Sequence, residues 1–463
     1  MKSNITRPSA QIPYIAFFKK GLYWNLFDSV SSQGLVILFH ILLRSFYGTH
    51  LHGKMGCLLS VFYIGIVLCN GGLDQSLAPF LEEFTKNRPA FRSFFYTVLL
   101  PQIAIVSISA ALFFLGYFFF FSSHESFFTR FPDISPPFFT LLCASFLLES
   151  LRKTCRTFLQ LIFYNQLTAL VETGNMIVFI LLIVGFYVLQ IPLSLLSLWI
   201  IFSALVALQL VILIGGILRF YSSLPADVTK QPAPKNALRM IKTRVFTWAN
   251  QSVSQFFSGN ILVPLCALRF GIEQASLMKV ISTISQWVTL ISHKTFGISS
   301  NALFAHLKSR SLETQQNAFS YLSSLLNQAL YFLFIFLLIN GKKITLLQID
   351  PAATISWSLL YFMILNSFLE SLFVLYEKWY IFEEEAFYIF FFNVTSFSLL
   401  YLFIISLHSP LSIALSILGL RTLTLLSITF FSSYRWHIWP SFAPRAITLT
   451  IAVLVSSFLY III

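Results

Sequence analysis

Asn25, Asp28, Ser29 and Ser32 stand at i, i+3, i+4 and i+7 within the stretch Gly21 to Phe84, with Gln33 beside them. That spacing puts them on one face of a helix. Such a face can hydrogen-bond a polar solute, hold a cation or pass a proton through its one carboxylate. Two later stretches repeat the design. Thr247, Gln251, Ser254, Gln255 and Ser258 share one, and Lys279, Ser282, Gln286 and His293 share the next at i, i+3, i+7 and i+14. Arg421 stands inside LGLRTLTLLSITF, where a guanidinium can grip a phosphate or carboxylate with two parallel hydrogen bonds; the alternative is a salt bridge to a nearby carboxylate of the chain. Glu149 is followed by Arg152 and Lys153 at i+3 and i+4, the spacing of a local ion pair. The Ser and Gln sets also suit plain hydrogen bonding between helices. For Asp28, Lys279, His293 and Arg421 a functional role is favoured, because charge inside a membrane is costly.

The elements that must carry these residues follow from composition. The chain is 57% hydrophobic and 10% charged, with mean hydropathy +0.80, against roughly 25% charged residues in a soluble domain. The apolar runs are too long, and lack the alternation, for a membrane β-barrel. We therefore expect an all-α polytopic membrane protein. Thirteen spans are expected, at about 21–43, 55–80, 93–121, 138–161, 168–189, 193–218, 243–267, 274–300, 318–340, 353–376, 384–407, 410–431 and 446–463. Residues 1–20 are basic but the following run lacks a small-residue cleavage site, so Gly21–Leu43 reads as a retained span rather than a signal.

The net charge of +13 is a topological signal rather than a nucleic-acid one. With the N-terminus in the cytoplasm, the inner segments 1–20, 81–92, 152–167, 219–244, 294–316, 377–385 and 432–445 hold 22 of the 30 Lys and Arg residues. This bias supports that orientation. In this scheme Arg152, Lys153 and Arg156 anchor lipid head groups, and Lys294 belongs to an inner loop. Five scattered cysteines, with no Cys-x-x-Cys pair, indicate neither a disulfide framework nor a metal site. No cofactor is expected.

The chain also repeats itself. Asp28-Ser-Val-Ser31 returns as Gln251-Ser-Val-Ser254, and the Gly48 that closes the first span returns as Gly271, both 223 residues later. Ser145-Phe-Leu-Leu-Glu-Ser-Leu151 is echoed by Ser367-Phe-Leu-Glu-Ser-Leu372, and Gln190-Ile-Pro-Leu-Ser-Leu195 by His408-Ser-Pro-Leu-Ser-Ile413. Six spans per repeat give both halves the same orientation, related by an axis along the membrane normal. The expected architecture is an N-lobe at 1–218, a basic cytoplasmic linker at 219–244, a C-lobe at 245–431, and a loop with an extra C-terminal helix at 432–463. The polar faces of the first helices would then line a central cavity between lobes that rock about it.

Gly21–Phe84 resembles the N-terminus of polysaccharide-transport flippases of the multidrug/oligosaccharidyl-lipid/polysaccharide exporter superfamily. The resemblance rests on Lys20-Gly21 before the first span, Tyr47-Gly48 at its end and Gly71-Gly72-Leu73-Asp74 closing the second. It implies an alternating-access flippase of the inner membrane, moving an undecaprenyl-pyrophosphate-linked glycan. It implies cationic cavity residues, for which Lys279, His293 and Arg421 are the candidates. Gln286, Gln251, Gln255 and Asn25 are polar cavity candidates, and Asp28 the ion-coupling candidate. The partners would be the lipid-linked glycan, membrane lipids and glycosyltransferase or polymerase proteins; no nucleic acid is expected. The alternatives are a cation-coupled multidrug exporter of the same superfamily and a non-transporting membrane partner of glycan-synthesis enzymes. No Walker, His-Glu-x-x-His or Gly-x-Ser-x-Gly motif is present, so we expect no enzyme and no ATP-driven pump.

Overall fold

The computed structural model describes residues 12–77, 80, 87–121, 136–162, 164–226, 237–255, 259–307, 311–346, 355–404 and 410–438. Every element among the described residues is helical. The first long apolar run, Ile12–Asn70, is broken at Gly48, where φ is 85° and ψ 169°. An L side chain there is strained, so glycine makes the turn. The two limbs form a hairpin, α1 (12–47) and α2 (49–70).

Ten more rods follow. α3 joins Arg88–Phe94, a wide π-turn Phe95–Leu99 and Leu100–Phe121. α4 is Pro136–Leu161, α5 Asn165–Val188 and α6 Leu195–Ser223. α7 comprises Ala237–Gln255 and Gly259–Phe270. α8 runs Ile272–Ile291, through a π-helical turn Ser292–Gly297, to Ile298–Leu307. α9 is Leu312–Leu346, α10 Ile355–Phe382, α11 Ala386–Ile404 and α12 Pro410–Trp436. Twelve expected spans thus fall on described helices. The thirteenth, 446–463, lies outside the described residues, as do residues 227–236 of the linker; the rest of 219–244 is helical to Ser223 and again from Ala237.

The two halves are built alike. α4 packs on α6 and α10 on α12, while α1 packs on α5 and α7 on α11. Gly271, between α7 and α8, has φ 94° and ψ 169°, nearly the dihedrals of Gly48. The same backbone device therefore turns the first hairpin of each half, at the spacing of the sequence repeat. Each half has its own core. Phe39, Phe62, Phe138, Phe179 and Trp199 fill the first; Phe304, Phe319, Trp379 and Tyr380 fill the second.

The halves meet where α1 and α2 lie along α7 and α8. Asn25 Nδ2 donates to Ser299 Oγ at 3.1 Å, and the Ser29 and Thr295 hydroxyls are 3.2 Å apart. Trp248 Nε1 donates to the Leu68 carbonyl at 2.5 Å, and Arg244 Nε to that of Gly71 at 2.9 Å. At Gly53 the backbones come so close that a Cβ would overlap the Ile272 carbonyl oxygen. Away from this seam, α5, α6 and α12 present Leu181, Val188, Val211, Leu426 and Phe430 outward. Such apolar surface on both halves fits a solvent of lipid. Among the described residues six helices are long and apolar enough to cross a membrane, and the chain is a multi-pass membrane protein.

Candidate functional site

α4 explains where the chemistry is. It carries Glu149, Arg152, Lys153 and Arg156 in two turns and is not among the six strongly apolar helices. A helix so charged cannot turn that face to hydrocarbon. The face turns inward instead and meets α1, α5 and α8. Arg152 grips Glu149 with both arms, Nε at 2.7 Å and Nη2 at 2.6 Å. Its Nη1 reaches Glu172 of α5 at 3.1 Å. Arg156 pairs with Glu172 and with Asp28, the latter at 3.1 Å. Lys294 enters from α8 and donates to Glu172 at 3.0 Å, Ser32 at 3.1 Å and Asp28 at 3.4 Å. Three carboxylates and three cations thus form one continuous network. Their mutual pairing is what makes burial of six charges tolerable.

This network floors a cavity of about 420 Å³. Its walls come from α1, α2, α4, α5 and α6 on one side and from α7 and α8 on the other. The cavity therefore lies within the first half and is closed by the second, rather than midway between two equivalent lobes. Of the sequence candidates, Lys279, Gln286 and Gln255 line it. Asp28 sits behind the wall, bonded to Arg156 and Lys294. Asn25 is committed to Ser299 at the seam, and Gln251 is buried on α7 outside the cavity lining.

Arg421 and His293 are elsewhere. Arg421 Nη2 stands 3.4 Å from Glu370 Oε1, pairing α12 with α10. The charged groups whose fields reach His293 are Glu377, Lys378, Glu370 and Arg421, all in the second half. Glu149, read as a local ion pair, is one. Arg152, Arg156 and Lys294, read as head-group and loop cations, are instead internal: α8 continues past 294 as a π-turn and carries that lysine into the network. Glu172 was not singled out. It lies four residues inside the expected span 168–189, so the cost of intramembrane charge that marked Asp28 marks Glu172 as well.

No family model matches the chain, and no curated protein sequence matches it. Solved structures do. One described as the outward-facing conformation of a multidrug resistance MATE family transporter of the MOP superfamily superposes with a TM-score of 0.67 at 11% identity, covering 91% of this chain and 95% of that one. A MOP superfamily transporter from Pyrococcus furiosus, described as having reverse polarity of its binding pocket, gives 0.61 at 11% identity over 91% and 95%. A eukaryotic MATE transporter gives 0.60 at 12% identity over 94% and 99%. The chain has the MATE transporter fold. At such low identity the likeness speaks for architecture, and the structural neighbours are transporters rather than enzymes.

Within this fold the internal repeat also reaches the site. Asp28, Arg156 and Glu172 join α1, α4 and α5. Asn250, Glu377 and Asn393 join the equivalent α7, α10 and α11, respectively 222, 221 and 221 residues later. They too are bonded together, Asn250 Nδ2 donating to Glu377 Oε1 at 3.0 Å and Asn393 Nδ2 to Asn250 Oδ1 at 2.6 Å. Contacts thus give Asn250, not its neighbour Gln251, the place that Asp28 holds in the first half. The second half keeps the geometry and two of the three charges are gone.

Proposed function

We propose that the protein is an alternating-access transporter of an anionic, amphipathic substrate, and that this substrate is a polyprenyl-pyrophosphate-linked oligosaccharide flipped across the cytoplasmic membrane. The observation that carries the reading is the charge of the cavity. Arg152, Lys153, Arg156, Lys279 and Lys294 line it against Glu149 and Glu172. A positive surplus in a low-dielectric site attracts pyrophosphate or acidic sugars and repels the cationic compounds a drug exporter commonly handles. The volume falls within the roughly 300–1,000 Å³ of small-molecule pockets. It accommodates a head group, while the prenyl chain stays in lipid. Lys279, Gln286 and Gln255 are the proposed head-group contacts. The proposed orientation places the N-terminus and the 219–244 linker in the cytoplasm, as the distribution of basic residues indicates. Glycan-synthesis enzymes would supply the substrate on that face.

The second reading, a cation-coupled multidrug exporter, is favoured by the likeness to a multidrug resistance transporter. Reconstituted vesicles separate the two. Wild-type protein is expected to speed the flipping of a fluorescent prenyl-pyrophosphate oligosaccharide, and Lys279→Gln to slow it about tenfold, the loss of one charge-assisted contact of roughly 1.5 kcal/mol. Unchanged glycan flipping alongside ethidium transport would overturn the proposal.

A further inference from the structure

Besides its charges the cavity wall carries carboxamides from four different helices. Gln33 of α1, Asn175 of α5, Asn260 of α7 and Gln286 of α8 all line it. Among the described residues none of these four amides has a hydrogen-bond partner. Amides that hold helices together are tied down: Asn25 donates to Ser299, Gln102 to the Cys69 carbonyl, and Gln209, which also lines the wall, to the Val171 carbonyl. A carboxamide has two hydrogens to donate and an oxygen that accepts. Leaving such groups unmet inside a bundle is costly, so the four are placed for something other than packing.

Their position says what. Lys279, Gln286 and Lys294 of α8 all line the cavity. Gln286 is seven residues beyond Lys279, about 10 Å along the helix axis. On the other wall Gln33 adjoins Ser32, which accepts from Lys294 at 3.1 Å, and Asn175 stands one turn beyond Glu172. The amides therefore lie between the Lys279 amine and the ion network. Two belong to the first half and two to the second, so a ligand that touches all four bridges the halves. Such a ligand must donate and accept at several points around an uncharged body. Sugar hydroxyls do both. A flat aromatic cation does not, and is held by aromatic faces or carboxylates instead.

We propose that Gln33, Asn175, Asn260 and Gln286 form a saccharide subsite, which holds the sugar of a ligand whose phosphate lies at Lys279. This rests on the anionic-glycan reading above and deepens it. The amine answers the charge, and the amides choose a hydroxylated head group over a bare phosphate. Selection follows because a ligand that fills this space without hydroxyls leaves the amides unpaired.

Binding to the full-length chain in phosphatidylcholine nanodiscs, whose head groups carry no sugar, tests this with three citronellyl probes. Two are phosphodiesters of equal charge, one of ethanol and one of glucose. The third is the uncharged citronellyl glucoside. In wild type the glucose diester is expected to bind about tenfold or more tighter than the ethanol diester. Gln33→Leu and Asn175→Leu should each cut that ratio about threefold, whereas Lys279→Gln should weaken both diesters together. Equal affinity of the two diesters in wild type overturns the subsite, and that comparison needs no variant to fold. A ratio that both leucine variants leave intact, when they fold, overturns it as well. Binding of the glucoside with neither diester bound supports the subsite and overturns the anionic reading. Binding of none of the three overturns both.

Discussion

Lys294→Met probes the structure most sharply, because Lys294 makes the cross-half ion pairs among the described residues. Its partners are Glu172 at 3.0 Å and Asp28 at 3.4 Å, both on the first half, while it stands on α8. At an effective dielectric near 20, Coulomb attraction is about 5 kcal/mol for each contact. Burying the ammonium takes back much of that, yet removing it leaves two carboxylates with fewer cations. Breaking such a pair from one side costs about 3–5 kcal/mol. Arg156 still serves both carboxylates, so the lower end applies. Glu172→Gln alone is also costly, since it strips Arg152 and Arg156 of a partner. In the double variant one cation and one carboxylate leave together, and charge balance returns. A double-mutant cycle, read from reversible unfolding in mixed micelles, should then give a coupling of about 2 kcal/mol or more. Additivity within about 0.5 kcal/mol would refute the claim that these charges form one energetic unit.

Three other outcomes are expected. Glu370→Gln should cost on the order of 3 kcal/mol by removing the carboxylate near the buried Arg421, and Arg421→Met should restore part of it, by the same unfolding measurement. Gly53→Ala and Gly56→Ala should both loosen the halves, by about 1–3 kcal/mol, Gly53→Ala the more, since its Cβ overlaps the Ile272 carbonyl oxygen and that of Gly56 meets Lys279 Cγ and Cβ at 2.9 and 3.1 Å; cysteine cross-linking of α2 to α8 reads the difference. Glu377→Gln should cost on the order of 3 kcal/mol, because it removes the carboxylate 3.7 Å from the buried Lys378 ammonium, even though an amide can still accept the hydrogen bond from Asn250.

Much of the fold could be read from the chain because membrane helices obey a simple length and polarity rule, and because Gly48 and Gly271 keep both spacing and φ/ψ across the repeat. The site was partly legible. Asp28 and Lys279 stood out as charges within apolar runs. Arg156 and Lys294 did not, since a cation near a span end is expected in head groups or loops. Both lie inside the expected spans 138–161 and 274–300, and it is the inward turn of α4 and of the π-helical turn of α8 that places their side chains in the network. Arg421 looked poised for a ligand, but a sequence does not reveal that Glu370, 51 positions earlier, lies within 3.4 Å. The meeting of Gln33, Asn175, Asn260 and Gln286 around one cavity is equally silent, because it depends on how four helices from both halves close on it.

The repeat makes the asymmetry of the two halves informative. A shared fold requires polar groups where α1, α4 and α5 converge, and the second half meets that need with Asn250, Glu377 and Asn393, held by hydrogen bonds. Two amides and one carboxylate, itself paired with Lys378 at 3.7 Å, therefore suffice to hold such a junction together. The first half puts Asp28, Arg156 and Glu172 in the same places and adds Arg152, Glu149 and Lys294. Packing alone does not call for a network of six charges, since the second half holds the matching junction with Glu377 and Lys378 as its charged pair and so carries a smaller desolvation cost there. They also sit where the cavity is, and Lys294 brings the other half to them. On the function proposed above, the excess charge of the first half would serve transport rather than the fold, an arriving anion competing with Asp28 and Glu172 for Arg156 and Lys294.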